Sequence, residues 1–157
     1  MTIAKQIAKS LRDVHFGGNW TDVNMKGTLQ DVTFVEALNK VQDFNSIATL
    51  TVHTTYYIDV VTKVLQGGPL DAKDAYSFIL PKIESEADWQ GVLEKAWQNA
   101  ETCALLIEQL NDNQLLEIFS EEKYGNYFRN LMGMVEHMHY HLGQMVLIKK
   151  TIRSATA

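Results

Sequence analysis

Three histidines, His53, His137 and His141, are the residues whose types and spacing point most clearly to chemistry. His137 and His141 lie four residues apart in a stretch with helical periodicity, and four residues turn an α-helix by about 400°. Their side chains are therefore predicted to lie one above the other, the arrangement by which helices present two histidines to Zn²⁺. Three protein ligands would leave one coordination position open, as in catalytic rather than structural zinc sites.

The third ligand must come from elsewhere, because His139 lies about 200° away from both members of the pair on the helix. His53 is the candidate, since it shares the apolar row of another predicted helix with Leu50 and Tyr57. Any one of these histidines, taken alone, is more often a structural or surface residue than a ligand. Two imidazoles buried without partners would cost about 1–3 kcal/mol each, and a shared metal ion would remove that cost.

The other potentially reactive side chains are predicted to be structural. His139 is expected at the surface or an interface, and His15, in an irregular segment, is expected in solvent. Cys103 falls on an apolar helical row and is predicted to be a small core residue. Trp89 and Trp97 are predicted to pack in the core or a groove. The sequence contains no Gly-rich phosphate loop, no nucleophile-elbow serine and no Cys-x-x-Cys pair.

Composition and charge narrow the classes of protein. The 157 residues are most simply one domain, residues 1–157. With 14 basic and 19 acidic residues the net charge is −5, and no cationic cluster predicts nucleic-acid binding. No apolar run approaches the length of a membrane span, and the N-terminus does not resemble a signal peptide. A single cysteine fits a reducing compartment, so a cytoplasmic location is expected.

Four long helices are predicted to position the histidines. Their ranges are approximately 2–13, 45–66, 85–110 and 127–153. The second is rich in Thr, Val and Tyr, which favour strands. It is nevertheless predicted as a helix, because a stretch without Gly or Pro this long exceeds the usual strand length of about 3–10 residues. Ser85, followed by Asp88, supplies an N-cap signal for the third helix.

The remaining segments are predicted to be connections with little regular structure. Residues 14–32 and 70–83 show no clear period, and 111–119 can form a minor helix. Thr33 and Glu36 have capping-box spacing and predict a short helix through Lys40. The last long helix carries an apolar seam of Phe128, Leu131, Val135, Met138, Leu142 and Met145. Together these features predict an all-α fold, a four-helix bundle with long crossover connections.

The chain resembles the DinB-like superfamily of four-helix-bundle proteins, also called the YfiT-like metal-dependent hydrolase group. The matching residues are His53 midway along the second helix and His137-x-x-x-His141-x-Gly143-Gln144 on the fourth. The helix order and long connections match too, so the resemblance covers nearly the whole chain. Leu142 stands where many relatives carry arginine, so the contact with an anionic ligand that the arginine would make is not carried over.

The resemblance implies a divalent metal, commonly zinc or nickel, held by His53, His137 and His141. It also implies a homodimer, and an activity such as the transfer of a low-molecular-weight thiol to an electrophile or a related hydrolysis or isomerisation. Tyr57, one turn from His53, can hydrogen-bond a substrate, although core packing is the simpler prediction. The competing hypothesis is a non-catalytic metal-binding or dimeric scaffold protein. An open pocket beside His53 would favour the enzyme.

Overall fold

The structure, a computed structural model that describes residues 1–155, is built from helices. Within these residues the only β-type pairing is one antiparallel bridge between Ile118 and Asn126. The seven α-helices found there are α1 (Ile3–Phe16), α2 (Met25–Leu29), α3 (Phe34–Leu38), α4 (Ile47–Leu65), α5 (Asp74–Ser77), α6 (Glu86–Glu108) and α7 (Tyr127–Ser154). Two single-turn 3₁₀ helices precede α7, at Gln114–Leu116 and Glu122–Tyr124. The predicted all-α class is confirmed.

Side-chain oxygens cap two of the helices at the positions that the sequence indicates. Ser85 Oγ accepts a hydrogen bond from the backbone N–H of Asp88 at the start of α6. Thr33 Oγ1 accepts from the Glu36 N–H, and the Glu36 carboxylate accepts from the Thr33 N–H, which completes the predicted capping box of α3. Such caps contribute about 1 kcal/mol each, because they satisfy N–H groups that have no partner within the helix.

α4 is helical although its residues favour strands. The hydroxyls of Thr51, Thr54 and Thr55 each donate to a backbone carbonyl one turn earlier, so these buried polar groups are satisfied within the helix. After the helix, the Gly68 N–H donates to the Lys63 carbonyl, and a Cβ at position 68 would lie 2.9 Å from that oxygen. Only glycine allows this close approach. The prediction of a helix in this segment is confirmed.

The four long helices share one hydrophobic core. α1 and α4 each pack against both α6 and α7. The core draws residues from all four, and residues 156 and 157 of the predicted single domain lie outside the described part of the chain. Arg12 of α1 forms ion pairs with Glu101 and Glu108, which link α1 to α6 at the surface. No helix within residues 1–155 is both long and apolar enough to cross a membrane.

The seam of α7 begins one turn later than predicted. Leu131 and the seam residues after it are buried, whereas Phe128 is 43% exposed. The first turn of α7 instead packs Tyr127 against Phe119, with ring centroids 5.1 Å apart.

The connections contain more helix than the sequence predicts. α2 lies within the predicted irregular segment 14–32, where the Asn24 side chain caps it by accepting from the Gly27 N–H. α5 lies within the segment 70–83. Helices of one turn are too short to produce an apolar period, so pattern analysis did not detect them. α3 ends at Leu38, slightly before the predicted boundary.

His15 is buried, so the prediction that it lies in solvent is wrong. α1 extends to Phe16, and this additional turn carries His15 into the interior, where it is 1% exposed. Its Nδ1–H donates to the Leu11 carbonyl at 2.7 Å, and its ring packs edge-on against Trp97. Burial lowers the pKa of His15 to about 4, so the ring is neutral at pH 7.

Candidate metal centre

α4 and α7 bring three histidine side chains to one point. His53 lies on α4, and His137 and His141 lie on successive turns of α7. The Nε2 atom of His137 lies 3.1 Å from Nε2 of His53 and 2.9 Å from Nε2 of His141. One ring nitrogen from each histidine lies within 4.8 Å of the other two. The predicted meeting of His53 with the pair on α7 therefore occurs.

Neighbouring side chains determine which nitrogen is protonated on two of the rings. Ser77 Oγ donates its only hydrogen to the Asp74 carbonyl at 2.6 Å, so it must accept from Nδ1 of His53 at 2.8 Å. Nδ1 of His141 donates to Oε1 of Gln144 at 2.7 Å. A neutral imidazole carries one N–H. Nε2 of both His53 and His141 therefore presents a lone pair to the meeting point.

His137 cannot satisfy both lone pairs, because a single N–H donates to only one acceptor at a time. A cation that binds all three Nε2 atoms removes this mismatch. In a tetrahedral zinc site with Zn–N bonds of about 2.0–2.1 Å, the ligand nitrogens lie about 3.4 Å apart. The observed separations of 2.9 Å and 3.1 Å are close to that value. The donor set and these two separations thus fit a divalent metal ion.

Burial keeps the three rings neutral near pH 7. Desolvation is the main cause that lowers the pKa of His137 to about 4, and the proximity of His141 and His53 lowers it further. Burial also lowers the pKa of His53, with a further contribution from His141, and burial lowers the pKa of His141. Since metal ions bind the neutral imidazole, protons compete weakly for this site at neutral pH.

His137 lines a cavity of about 680 Å³ beside α4 and α7, a size typical of small-molecule sites. Most of the lining is apolar, with a few polar side chains, as such sites require. Tyr57 lines the same cavity, its ring edge-on to His137 at 5.1 Å between centroids. A second cavity of about 680 Å³ lies between α4 and α6, and none of the three histidines lines it.

α5 and the residue after it form the support for His53. Besides placing Ser77 against Nδ1, α5 supplies Asp74, whose Oδ1 accepts from the Tyr57 hydroxyl at 2.7 Å. Burial and this hydrogen bond raise the pKa of Tyr57 to about 12, so Tyr57 is a neutral phenol at the cavity edge. Phe78 stacks on the His53 ring at 4.4 Å and covers it. Tyr57 is half-buried and lines the cavity, so its side chain is available to a ligand.

Sequence reasoning missed the residues that hold the histidines. Ser77 is separated from His53 by 24 residues and lies in a segment without a period, so no local signal connects the two. Gln144 was noted in the motif without a role. Its position one turn after His141, on the same helical face, is the signal that predicts the hydrogen bond between them.

The remaining candidates lie outside the cluster. His139 is half-buried, on the opposite side of α7 from the pair. Cys103 is fully buried, and burial raises the pKa of its thiol to about 11, which fits the predicted core residue and not a nucleophile. Trp89 is fully buried and Trp97 packs against the core, as predicted.

Comparisons of the chain with protein-family models, curated proteins and solved structures gave no match. The class of this protein is therefore assigned from its fold and its histidine cluster alone. It is an all-α protein with a cluster of three histidines, His53, His137 and His141, that can hold a metal ion beside a cavity. Membership of the DinB-like superfamily stays a prediction from the sequence motif.

Replacement of Ser77 by alanine is expected to weaken Zn²⁺ binding about tenfold. The variant removes the acceptor that holds the proton on Nδ1 of His53. Loss of such a hydrogen-bond partner of a metal-binding histidine typically weakens metal affinity about 10–100-fold. The measurement is a zinc titration in competition with a chromophoric chelator. Ser85→Ala is the matched control, because it removes a serine hydroxyl that caps α6, a helix that carries none of the three histidines. Equal zinc affinity in Ser77→Ala and the wild type would contradict the assignment.

Proposed function

We propose that this protein is a metal-dependent enzyme in which His53, His137 and His141 hold Zn²⁺ or Ni²⁺ and a low-molecular-weight thiol is transferred to an electrophile. The observation that carries the proposal is the convergence of three Nε2 atoms, two with their lone pairs directed inward, beside a cavity of about 680 Å³. A closed structural site would need a fourth protein ligand, and a scaffold would not need the cavity.

The proposal includes a four-helix bundle of the DinB-like type. The packing of α1 and α4 against both α6 and α7 supports it, because α1 then lies across the core from α4, and α6 lies across the core from α7. The long connections after α1 and α6 are the lengths that such crossovers need. The single cysteine supports a cytoplasmic location.

The proposal also includes a homodimer. Its support is a set of exposed apolar side chains at one surface of α7, where Tyr140 is 64% and Leu147 is 66% exposed. Phe44, which is 57% exposed, lines a shallow cavity of about 300 Å³ together with Leu147. Adjacent exposed apolar side chains of this kind are typical of association surfaces.

The chemistry requires a thiolate at neutral pH. A divalent cation held by the neutral imidazoles of His53, His137 and His141 would keep its full charge and would lower the pKa of a thiol bound to it. The thiol S–H proton passes to solvent, an S–C bond forms to the electrophile, and the leaving group departs with the electrons of its bond to that carbon. Tyr57, at the cavity edge, can accept a hydrogen bond from the substrate while its proton is held by Asp74. Hydrolysis at the same site is the related variant of this reaction.

The test is made with protein purified without a histidine tag and loaded with Co²⁺. Addition of a small thiol such as 2-mercaptoethanol should produce a thiolate-to-cobalt absorption band, and the loaded protein should accelerate alkylation of that thiol by monochlorobimane at least tenfold over the metal-free protein. His139→Ala, which removes a histidine of α7 outside the cluster, should behave like the wild type. If cobalt binds but the thiolate-to-cobalt band does not appear, the proposed enzyme activity is wrong and the hypothesis of a non-catalytic scaffold protein is favoured.

A further inference from the structure

Among residues 1–155, Arg129 is the arginine whose side chain forms no ion pair with a carboxylate. Arg12 and Arg153 each form ion pairs with two acidic side chains. Their guanidinium groups therefore have a structural role. Among residues 1–155, no acidic side chain forms an ion pair with Arg129, which is exposed in the first turn of α7. Its backbone N–H is the group that the cap residue Asn126 engages. The guanidinium therefore keeps its five donors available for a ligand.

Arg129 lines the same cavity as His137. The two residues lie eight positions apart on α7, which separates their Cα atoms by about 12 Å along the helix axis. Asn130 and Gly133 line the cavity between them. A molecule that occupies this cavity can therefore contact both His137 and the guanidinium of Arg129.

Of the two cationic side chains that line the cavity, Arg129 is the one without a carboxylate partner among residues 1–155. Lys123 also lines the cavity, but its ammonium pairs with Glu121 at 3.0 Å. Asp74 lies by the histidine cluster and accepts from the Tyr57 hydroxyl. A guanidinium favours planar oxyanions, which it binds through two parallel hydrogen bonds.

We propose that Arg129 recognises a carboxylate on the substrate, so that the substrate class is an acidic thiol whose carboxylate lies on the order of 10 Å from its sulfur. This inference depends on the proposed function, because the sulfur end is placed at the metal held by His53, His137 and His141. The selectivity follows from the geometry: the metal selects the thiolate and Arg129 selects the acid. A neutral thiol of the same length loses the second contact.

The test compares straight-chain ω-mercaptocarboxylates with ω-mercaptoalcohols of equal length, titrated into the Co²⁺-loaded protein and followed by the thiolate-to-cobalt band. For chains long enough to reach Arg129, the acid should bind about tenfold more tightly than the alcohol, the effect of a hydrogen-bonded charge pair at a partly exposed site. Arg129→Gln should abolish this preference and leave the affinity for the alcohols unchanged.

Lys150→Gln is the matched control, because it removes the same charge from an exposed position of α7 outside the cavity and should keep the preference for the acid. If the alcohols bind but the wild type shows no preference, or if Arg129→Gln retains it, this inference is wrong while the proposed function stands. If neither series produces the band in cobalt-loaded protein, the proposed function fails first and this inference fails with it.

Discussion

The alanine variant of His141 is expected to bind Zn²⁺ about a hundred- to a thousandfold more weakly than the wild type. Structural zinc sites are worth about 10–16 kcal/mol over four ligands, or about 2.5–4 kcal/mol for each ligand. His141 also carries one of the two Nδ1–H hydrogen bonds that direct an Nε2 lone pair inward. The measurement is a chelator competition, accompanied by metal analysis of each purified protein.

The same experiment has a stability readout. Zinc at a thousand times its dissociation constant should stabilise the wild type by about 4 kcal/mol, since it binds the folded state alone. For a chain of this length that corresponds to a rise in melting temperature of about 10 °C. His53→Ala and His141→Ala should lose this rise, and His139→Ala should keep it. A wild-type melting temperature that zinc does not move would show that the histidine cluster does not bind the metal.

The alanine variant of Trp89 is expected to lower the free energy of unfolding by about 3–5 kcal/mol, the range for deletion of a large buried aromatic side chain. Trp89 is fully buried, and its Nε1–H donates to the Val32 carbonyl at 2.8 Å, so it ties α6 to the segment before α3. The variant leaves a cavity and an unpaired buried carbonyl. Urea unfolding followed by circular dichroism measures the change.

Trp20→Ala is the matched control for this experiment. The Trp20 side chain is fully exposed, so its removal should change the free energy of unfolding by less than about 0.5 kcal/mol. Trp89→Phe should fall between the two, because it keeps most of the packing and loses the hydrogen bond. A Trp89→Ala protein as stable as Trp20→Ala would contradict the position of Trp89 in the core.

Local signals predicted the long helices well. The caps at Ser85 and Thr33 could be recognised from four consecutive residues, because a cap is a contact between a side chain and the backbone three positions later. α4 was predicted as a helix from its length and its apolar row, although its residues favour strands. The helix tolerates its buried threonines because their hydroxyls donate to backbone carbonyls one turn earlier. The single-turn helices α2 and α5 were missed, since they bury too few residues to create a period.

In the candidate site too, contacts within one helix could be predicted, whereas contacts between distant segments could not be predicted from local signals alone. The pairing of His137 with His141 follows from the helical repeat, so their shared face could be predicted from the spacing alone. The prediction of His53 as the third member needed the assumption that its helix packs on α7, which the structure bears out. The motif carried no information on Ser77, because its contact with His53 depends on how a connection folds back over α4.

By itself the sequence determined the all-α class, the main helix starts and the paired histidines on one helical face, because these depend on contacts within one or two turns. Tertiary structure alone decided the direction of the Nε2 lone pairs, the burial of His15 and the placement of Arg129 in the cavity that His137 lines. These features arise between segments far apart in the chain, where the outcome depends on how the helices pack. The pattern of neighbouring residues does not predict that packing.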